Sequence, residues 1–338
     1  MDEKIRVLVT IPKGLYRRVS RIEDENKLRS FADVTFNPYE RNLSEGELAD
    51  LIKGVDGCIT SWGSPKFTEN VLTNADRLKI IGHVAGSVKP YVTEEVFKRG
   101  IIVVNAASAI AVGVAEFTLA SMLNCLRAIP QHISAMQKKK WKRDEEAAIR
   151  TYDLRGKIIG LIGFGAVARE LINLLKPFNV RILVFDPHVS EETLKAYGLE
   201  KSDLTYILIN SDIVSLHAAL TSETYHMIGE RELRLMKPTA FLINTARGAL
   251  IDEGALYKAL KERWISGAAL DVFESEPLQP ESPLYNLGDN VFLTPHIAGL
   301  SDERRSMLFG VIVEDFRRFF SGESPLNIVE YVRLRFLA

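Results

Sequence analysis

The stretch KIIGLIGFGAVARELINLL, residues 157–175, constrains this chain more than any other. An apolar run ends in Gly163, Gly165 and Ala168 at G-x-G-x-x-A spacing, and a helical pattern begins at once. In a strand-turn-helix of this kind Gly163 permits the tight turn. Gly165 lets a pyrophosphate approach the backbone, and a small residue at 168 lets the helix pack on the strand. The helix N-terminus, here Ala166 and Val167, presents unpaired N–H groups and a partial positive charge to the phosphates. Asp186 closes the next apolar run, VRILVFD (180–186), about 20 residues on, where an acidic residue completes the dinucleotide fingerprint. Its carboxylate can accept both ribose hydroxyls and would repel a 2′-phosphate, so NAD is favoured over NADP.

KIIGLIG and VRILVFD open a regular series of six apolar runs. The others are DIVSLH (212–217), AFLINT (240–245), GAALDVF (267–273) and VFLTPH (291–296), with helical patterns in most gaps. Six strands with crossovers are expected of a doubly wound dinucleotide-binding domain. Each later run ends in something polar: His217, then Asn244-Thr245-Ala246-Arg247, then Asp271, then His296. Strand carboxyl ends line the crevice of an open parallel sheet, so these side chains are expected to converge on one cofactor. Singly, each has a plain alternative: a satisfied core histidine, a surface cation, a turn aspartate. Jointly those alternatives require the same coincidence at successive strand ends.

Ahead of this series stand five shorter apolar runs, IRVLVT (5–10), ADVTF (32–36), GCIT (57–60), LKIIGH (78–83) and IIVVN (101–105), which predict a second parallel sheet. The segment 109–129 reads as one long buried helix, and the charge run QKKKWKRDEEAA (137–148) as a solvated connector. The last helical pattern, 303–322, is expected to cross back onto the first sheet, so that the first domain is closed by both chain ends. A chain of 338 residues suits two such domains. The boundaries fall at 1–105 with 300–338, and at 106–299.

The formal charge of -1 gives no electrostatic case for nucleic acid or an anionic membrane, and points to a small-molecule partner. No run reaches 18 consecutive apolar residues, and the N-terminus does not read as a signal segment. Cys58 and Cys125, each in an apolar stretch, lack the spacing of a disulfide framework or a metal site. The expected setting is therefore a reducing cytoplasm, with no metal. Glu274 and Glu276 in FESEP precede a proline-rich loop, and either carboxylate could hold the His296 imidazole and favour its protonated form. Glu274 reads better as a solvated loop residue.

LRGKIIGLIGFG, VFDP, MKPTAFLINTARGALIDEGAL, GAALDVFESEP and LTPHIAG, in this order, resemble the motifs of the NAD-dependent D-isomer-specific 2-hydroxyacid dehydrogenases. The resemblance runs over nearly the whole chain. It implies a flavodoxin-like substrate domain made of both chain ends and an inserted Rossmann NAD-binding domain, usually paired into homodimers through the latter. It also implies that Arg247 binds the substrate carboxylate, that His296 is the acid/base, and that Glu276 is its carboxylate partner. Ala218 and Gly299 join the cofactor surroundings on the same ground. The family's substrate loop reads HVAGSVKPY here, where Gly86 and Ser87 still offer backbone N–H groups to a carboxylate.

Departures bear on the substrate. Ser87 and Lys89 replace the usual Gly and Asp, HAALT (217–221) lacks a usual proline, and Ala107 replaces another. Thr60 stands where phosphoglycerate-type members carry an arginine, which disfavours a phosphorylated substrate, while Glu276 argues against formate. The expected activity is hydride transfer between NAD(H) and a small 2-oxo or 2-hydroxy acid. The alternative is an NAD-binding regulator of corepressor type on the same fold, which fold alone does not separate.

Overall fold

The structure, a computed structural model, describes residues 4–141 and 150–334, and most of the charge run, from 142 onward, lies outside them. The chain forms two compact units, Met1–Ala111 with Leu300–Leu337, and Val112–Gly299.

In the first unit the runs read from sequence become β1 (Ile5–Val9), β2 (Ala32–Phe36), β3 (Gly57–Thr60), β4 (Ile80–His83) and β5 (Ile102–Asn105). They pair in parallel in the order β2-β1-β3-β4-β5, the flavodoxin arrangement. One face is covered by the helix Asp302–Phe320, whose N-cap Ser301 accepts from Arg304 N at 3.1 Å. Leu308, Phe309, Ile312, Val313 and Phe316 of that helix are fully buried against Val7, Val9, Ile59, Ile80 and Val104. Each such side chain contributes about 1.5–3 kcal/mol by leaving water. The helix lies close because the strands beneath it carry glycine: a Cβ on Gly82 would stand 2.3 Å from Ile312 Cγ2, and one on Gly57 2.7 Å from Phe316 Cε1. Past the helix, the buried Asp315 accepts from Leu326 N at 2.6 Å and Asn327 Nδ2 at 2.8 Å, which fastens the extended end.

The second unit has one strand more than expected. β6 (Ile158–Ile162), β7 (Arg181–Phe185), β8 (Glu200–Lys201), β9 (Ile213–Leu216), β10 (Phe241–Asn244), β11 (Gly267–Leu270) and β12 (Val291–Leu293) form a parallel sheet in the order β12-β11-β10-β9-β6-β7-β8. β8 is two exposed charged residues on the sheet edge, so it carries no apolar signal. The chain reverses direction across the sheet between β6 and β9, which is the switch point where doubly wound sheets bind ligands.

The long helix predicted over 109–129 runs from Ala107 to Leu126, and a second helix, Ile129–Gln137, follows it. Ala128 between them adopts a left-handed conformation (φ 48°), and Pro130 begins the second. Proline suits a first helical turn and cannot continue a helix through it. Among the described residues Ala107–Leu126 is the one helix long and apolar enough to cross a membrane by length and composition. Its Ala115, Met122, Cys125 and Leu126 belong to the core beneath β6, packed with Ile159, Leu161 and Ile243.

Candidate active site

Strand register builds the site as a row. Ile162 pairs with both Phe185 and Leu216, Asn244 with both Leu216 and Leu270, and Leu270 with Leu293. One residue beyond that line stand Gly163, Asp186, His217, Thr245, Asp271 and Thr294. The polar residues anticipated at separate strand ends are therefore neighbours along one sheet edge.

At the β6 end, Gly163 has φ +101° and a Cβ there would lie 2.7 Å from His217 C and O and from Ala218 N, so only glycine fits. Gly165 faces open space: a Cβ would meet nothing within 4 Å. It is the N-cap of the helix Ala166–Leu175 and supplies no capping side chain. The first-turn N–H groups, including those of Val167 and Ala168, lack the internal partners that later turns have. Ala168, Leu171, Ile172 and Leu175 bury the other face of that helix. A diphosphate fits this cradle of open glycine and unpaired donors. Asp186 accepts from Phe164 N and His188 N, both at 2.9 Å, so its carboxylate is aimed by the glycine turn itself.

His217 is held by its backbone N–H to Ile162 O at 2.7 Å, and its Nε2 lies 2.9 Å from Ser215 Oγ. Burial lowers its pKa to about 4, so the ring is neutral at physiological pH. The unfolded imidazole binds a proton near pH 6.5. Between pH 6.5 and 4 the unfolded state takes up a proton that the folded state refuses, so stability falls as pH drops through that window. Denaturation midpoints at pH 7.5 and pH 5 check this, with the loss reduced in His217→Asn.

Arg247 follows β10. Asn244 braces the turn, donating Nδ2 to Arg247 O at 2.9 Å and accepting from Ala246 N at 3.0 Å. Thr245 Oγ1 lies 2.9 Å from Thr118 Oγ1 of the helix Ala107–Leu126. The side chain is half-buried, and its guanidinium donates Nη1 to Ala246 O at 2.5 Å. Burial pushes its pKa down and the nearby Glu276 charge opposes that. An arginine remains charged under such a shift. Gly248 comes next because no other residue fits: a Cβ would lie 1.8 Å from Phe273 C, so the loops after β10 and β11 meet backbone to backbone.

His296 ends the row. Its backbone is left-handed (φ 53°), fixed by N–H bonds to Asp271 O at 2.8 Å and Thr294 O at 3.0 Å. The imidazole Nδ1 lies 2.7 Å from Glu276 Oε2, while Glu276 Oε1 accepts from Phe273 N at 3.1 Å. With Nδ1 committed, Nε2 is the atom left to exchange a proton, and the side chain is half exposed. Glu276 thus joins His296 by contact and Arg247 by charge.

The structure gives Asp271 a definite task. Fully buried, it accepts from Thr294 Oγ1 at 2.6 Å and Ile297 N at 2.9 Å on one oxygen and from Ala298 N at 2.8 Å on the other. Its carboxylate bolts down the turn that carries His296. Glu274, expected as a solvated loop residue, accepts from Glu253 N at 2.9 Å and lies 3.0 Å from His226 Nε2. Sequence reasoning placed Asn244 among the polar strand ends without its bracing role, and missed Gly248 and this His226 contact, although NTARG holds the glycine. Gly86 and Ser87 lie in the first unit, in the turn after β4, where Asn105 Nδ2 donates to Gly86 O at 2.6 Å.

Residues 119–298 match the family model for the D-isomer specific 2-hydroxyacid dehydrogenase, NAD binding domain, which is over half of the chain. The chain belongs to the D-isomer specific 2-hydroxyacid dehydrogenases. It is 38% identical over 337 residues to a glyoxylate reductase of Korarchaeum cryptofilum (strain OPF8), covering 98% of both chains. A D-3-phosphoglycerate dehydrogenase of Methanocaldococcus jannaschii is 35% identical over 326 residues, 96% of this chain and 59% of that one. Among solved structures, a protein from Pyrococcus horikoshii OT3 superposes with a TM-score of 0.81 at 32% identity, covering 97% and 96% of the two chains. This dehydrogenase is therefore an NAD-dependent oxidoreductase interconverting a 2-oxo acid and its 2-hydroxy acid. When bound, NAD(H) supplies or takes the hydride. Such a reaction needs a cation for the substrate carboxylate and a donor for the hydroxyl proton, and the Arg247 guanidinium and the His296 imidazole are groups of those kinds.

Proposed function

We propose that this dehydrogenase reduces a small, unphosphorylated 2-oxo acid of the glyoxylate or hydroxypyruvate class, with NADH as donor. The His296–Glu276 contact at 2.7 Å, within the reach of Arg247's charge, carries the reading. Thr60 in place of an arginine supports the lack of a phosphate, and the glyoxylate reductases among its relatives support the size. The test is NADH oxidation with glyoxylate, hydroxypyruvate and its phosphate ester, pyruvate, branched 2-oxo acids and sugar-derived 2-oxo acids. Fastest turnover on one of the first two is expected, and fastest turnover on a phosphorylated or long branched acid would overturn the reading. No turnover on any would return the corepressor alternative, which the named relatives do not support.

Asp186 is proposed to set the preference for NADH over NADPH. Asp186→Ala is expected to narrow the gap, weakening NADH through the lost ribose bonds and relieving the repulsion of a 2′-phosphate. Titration of protein fluorescence with each cofactor reads it, and equal affinities in the unmutated protein rule the mechanism out.

A cytoplasmic homodimer joined through the second unit completes the reading. Ile133, Met136 and Trp141, 53%, 55% and 76% exposed, leave an apolar face on and just beyond the helix Ile129–Gln137 that a second copy would cover. Light scattering of the eluted protein reads the mass. No nucleic acid, membrane or metal is part of this reading.

A further inference from the structure

Three side chains that the proton transfer does not use gather behind the Glu276–His296 pair. Glu274 accepts from Glu253 N at 2.9 Å, and Glu253 in return accepts from Glu274 N at 2.6 Å. Each carboxylate thus binds the other's backbone, which ties the start of the helix Glu253–Lys261 to the loop after β11. Burial holds Glu253 above the usual carboxylate range; the bond from Glu274 N opposes that shift, and the Glu274 charge adds to it. His226 stands against them with Nε2 3.0 Å from Glu274 Oε1, close but not aligned for a hydrogen bond. The imidazole is stacked on Tyr225 at 3.9 Å, and its backbone is left-handed (φ 50°) and anchored to Ala249 O at 2.9 Å. Other charged groups on these elements include Asp252, which caps the helix, Lys258 and Lys261 in its last turn, and Arg247 and Glu276 on the two loops.

Only Ser275 separates Glu274 from Glu276. The segment 273–276 is closed by Phe273 N to Glu276 Oε1 at 3.1 Å and pressed from the other side by Gly248. A displacement of Glu274 is therefore transmitted to Glu276. We infer that His226, Glu253 and Glu274 are a positioning cluster that sets the register of Glu276 on His296. This rests on the proposed reading only in taking Glu276 and His296 as the proton-transfer pair.

Glu274→Ala removes the tie and Glu274→Gln keeps an acceptor for Glu253 N without the charge. In Glu274→Ala, kcat for 2-oxo acid reduction is expected to fall about tenfold, since small misplacements of catalytic groups are costly. The high pH limit of reduction should move lower, because a poorly placed Glu276 supports imidazolium less. NADH affinity should be unchanged, and Glu274→Gln should recover part of the loss. Should Glu274→Ala not fold, His226→Gln, at a half-buried ring, gives the same readouts. A lowered melting temperature with kcat and pH profile unaltered would overturn the inference and leave the cluster as plain scaffolding. A second readout needs no substrate: the downfield proton resonance of the His296 Nδ1–H bond to Glu276 should be lost or broadened in the variant. If the unmutated protein reduces no 2-oxo acid, the proposed function fails, and this resonance alone decides the positioning role, an unchanged signal refuting it.

Discussion

Replacing His296 by alanine lowers turnover in 2-oxo acid reduction by about 10²–10⁴-fold, the usual contribution of positioned proton transfer, while NADH affinity stays near its original value. Hydride arriving at the carbonyl carbon leaves an alkoxide, and on the proposed reading the Nε2 proton of His296 neutralises it. Nδ1 is already committed to Glu276 at 2.7 Å. The carboxylate stabilises the charged ring, so Glu276→Gln withdraws that support while keeping a hydrogen-bond acceptor. The sign follows: reduction needs the protonated ring, and a ring that releases its proton more easily stops donating at lower pH. The high pH limit of reduction should therefore move down in Glu276→Gln, and the low pH limit of hydroxy acid oxidation should move the same way. Steady-state kinetics from pH 5 to 10 measure both. Near-normal turnover in His296→Ala would remove it from the reaction.

Arg247 is expected to cost nearly as much. A charge-assisted hydrogen bond is worth about 1.5–3 kcal/mol, and a guanidinium can make two to one carboxylate in a planar fork. Arg247→Gln should lower kcat/KM by roughly 10²–10⁴-fold on that arithmetic. Arg247→Lys keeps the charge without the fork and should lose at least about tenfold. The site is already shaped for arginine: Asn244 fixes the turn and Ala246 O takes one Nη1 bond. A lysine leaves that carbonyl without its partner. Amides and esters of a good substrate should be poor substrates for the unmutated enzyme. An ester reduced as fast as the acid would refute the carboxylate role.

The sheets were legible because buried parallel strands are written as runs of branched apolar residues, and GCIT, AFLINT and GAALDVF need little else. β8 was not, since two exposed charged residues pair at an edge through their backbone alone. Arg247, Glu276 and His296 were picked out through their motifs, and the register of the strands explains why residues 49 apart in sequence stand at one edge. What escaped was the support behind them. Asp271 was read with the cofactor because it closes a strand, yet its bonds to Thr294, Ile297 and Ala298 depend on a loop whose path the sequence does not state. Glu274 escaped for a similar reason: its partners lie 21 residues away at Glu253 and further still at His226.

The helix Asp302–Phe320 has a consequence for synthesis of the chain. The glycine-floored groove that it fills on β3 and β4 is made early, and its lid emerges last. Until some 200 intervening residues have left the ribosome, at roughly 5–20 residues per second, Ile59, Ile80 and Val104 lack their cover. The middle unit, continuous in sequence, has all of its strands before that lid appears. Maturation therefore runs from the inside of the gene outward. A chain cut short ahead of Asp302 has all the strands of the nucleotide cradle and an open apolar trough, the kind of surface that chaperones and proteases select.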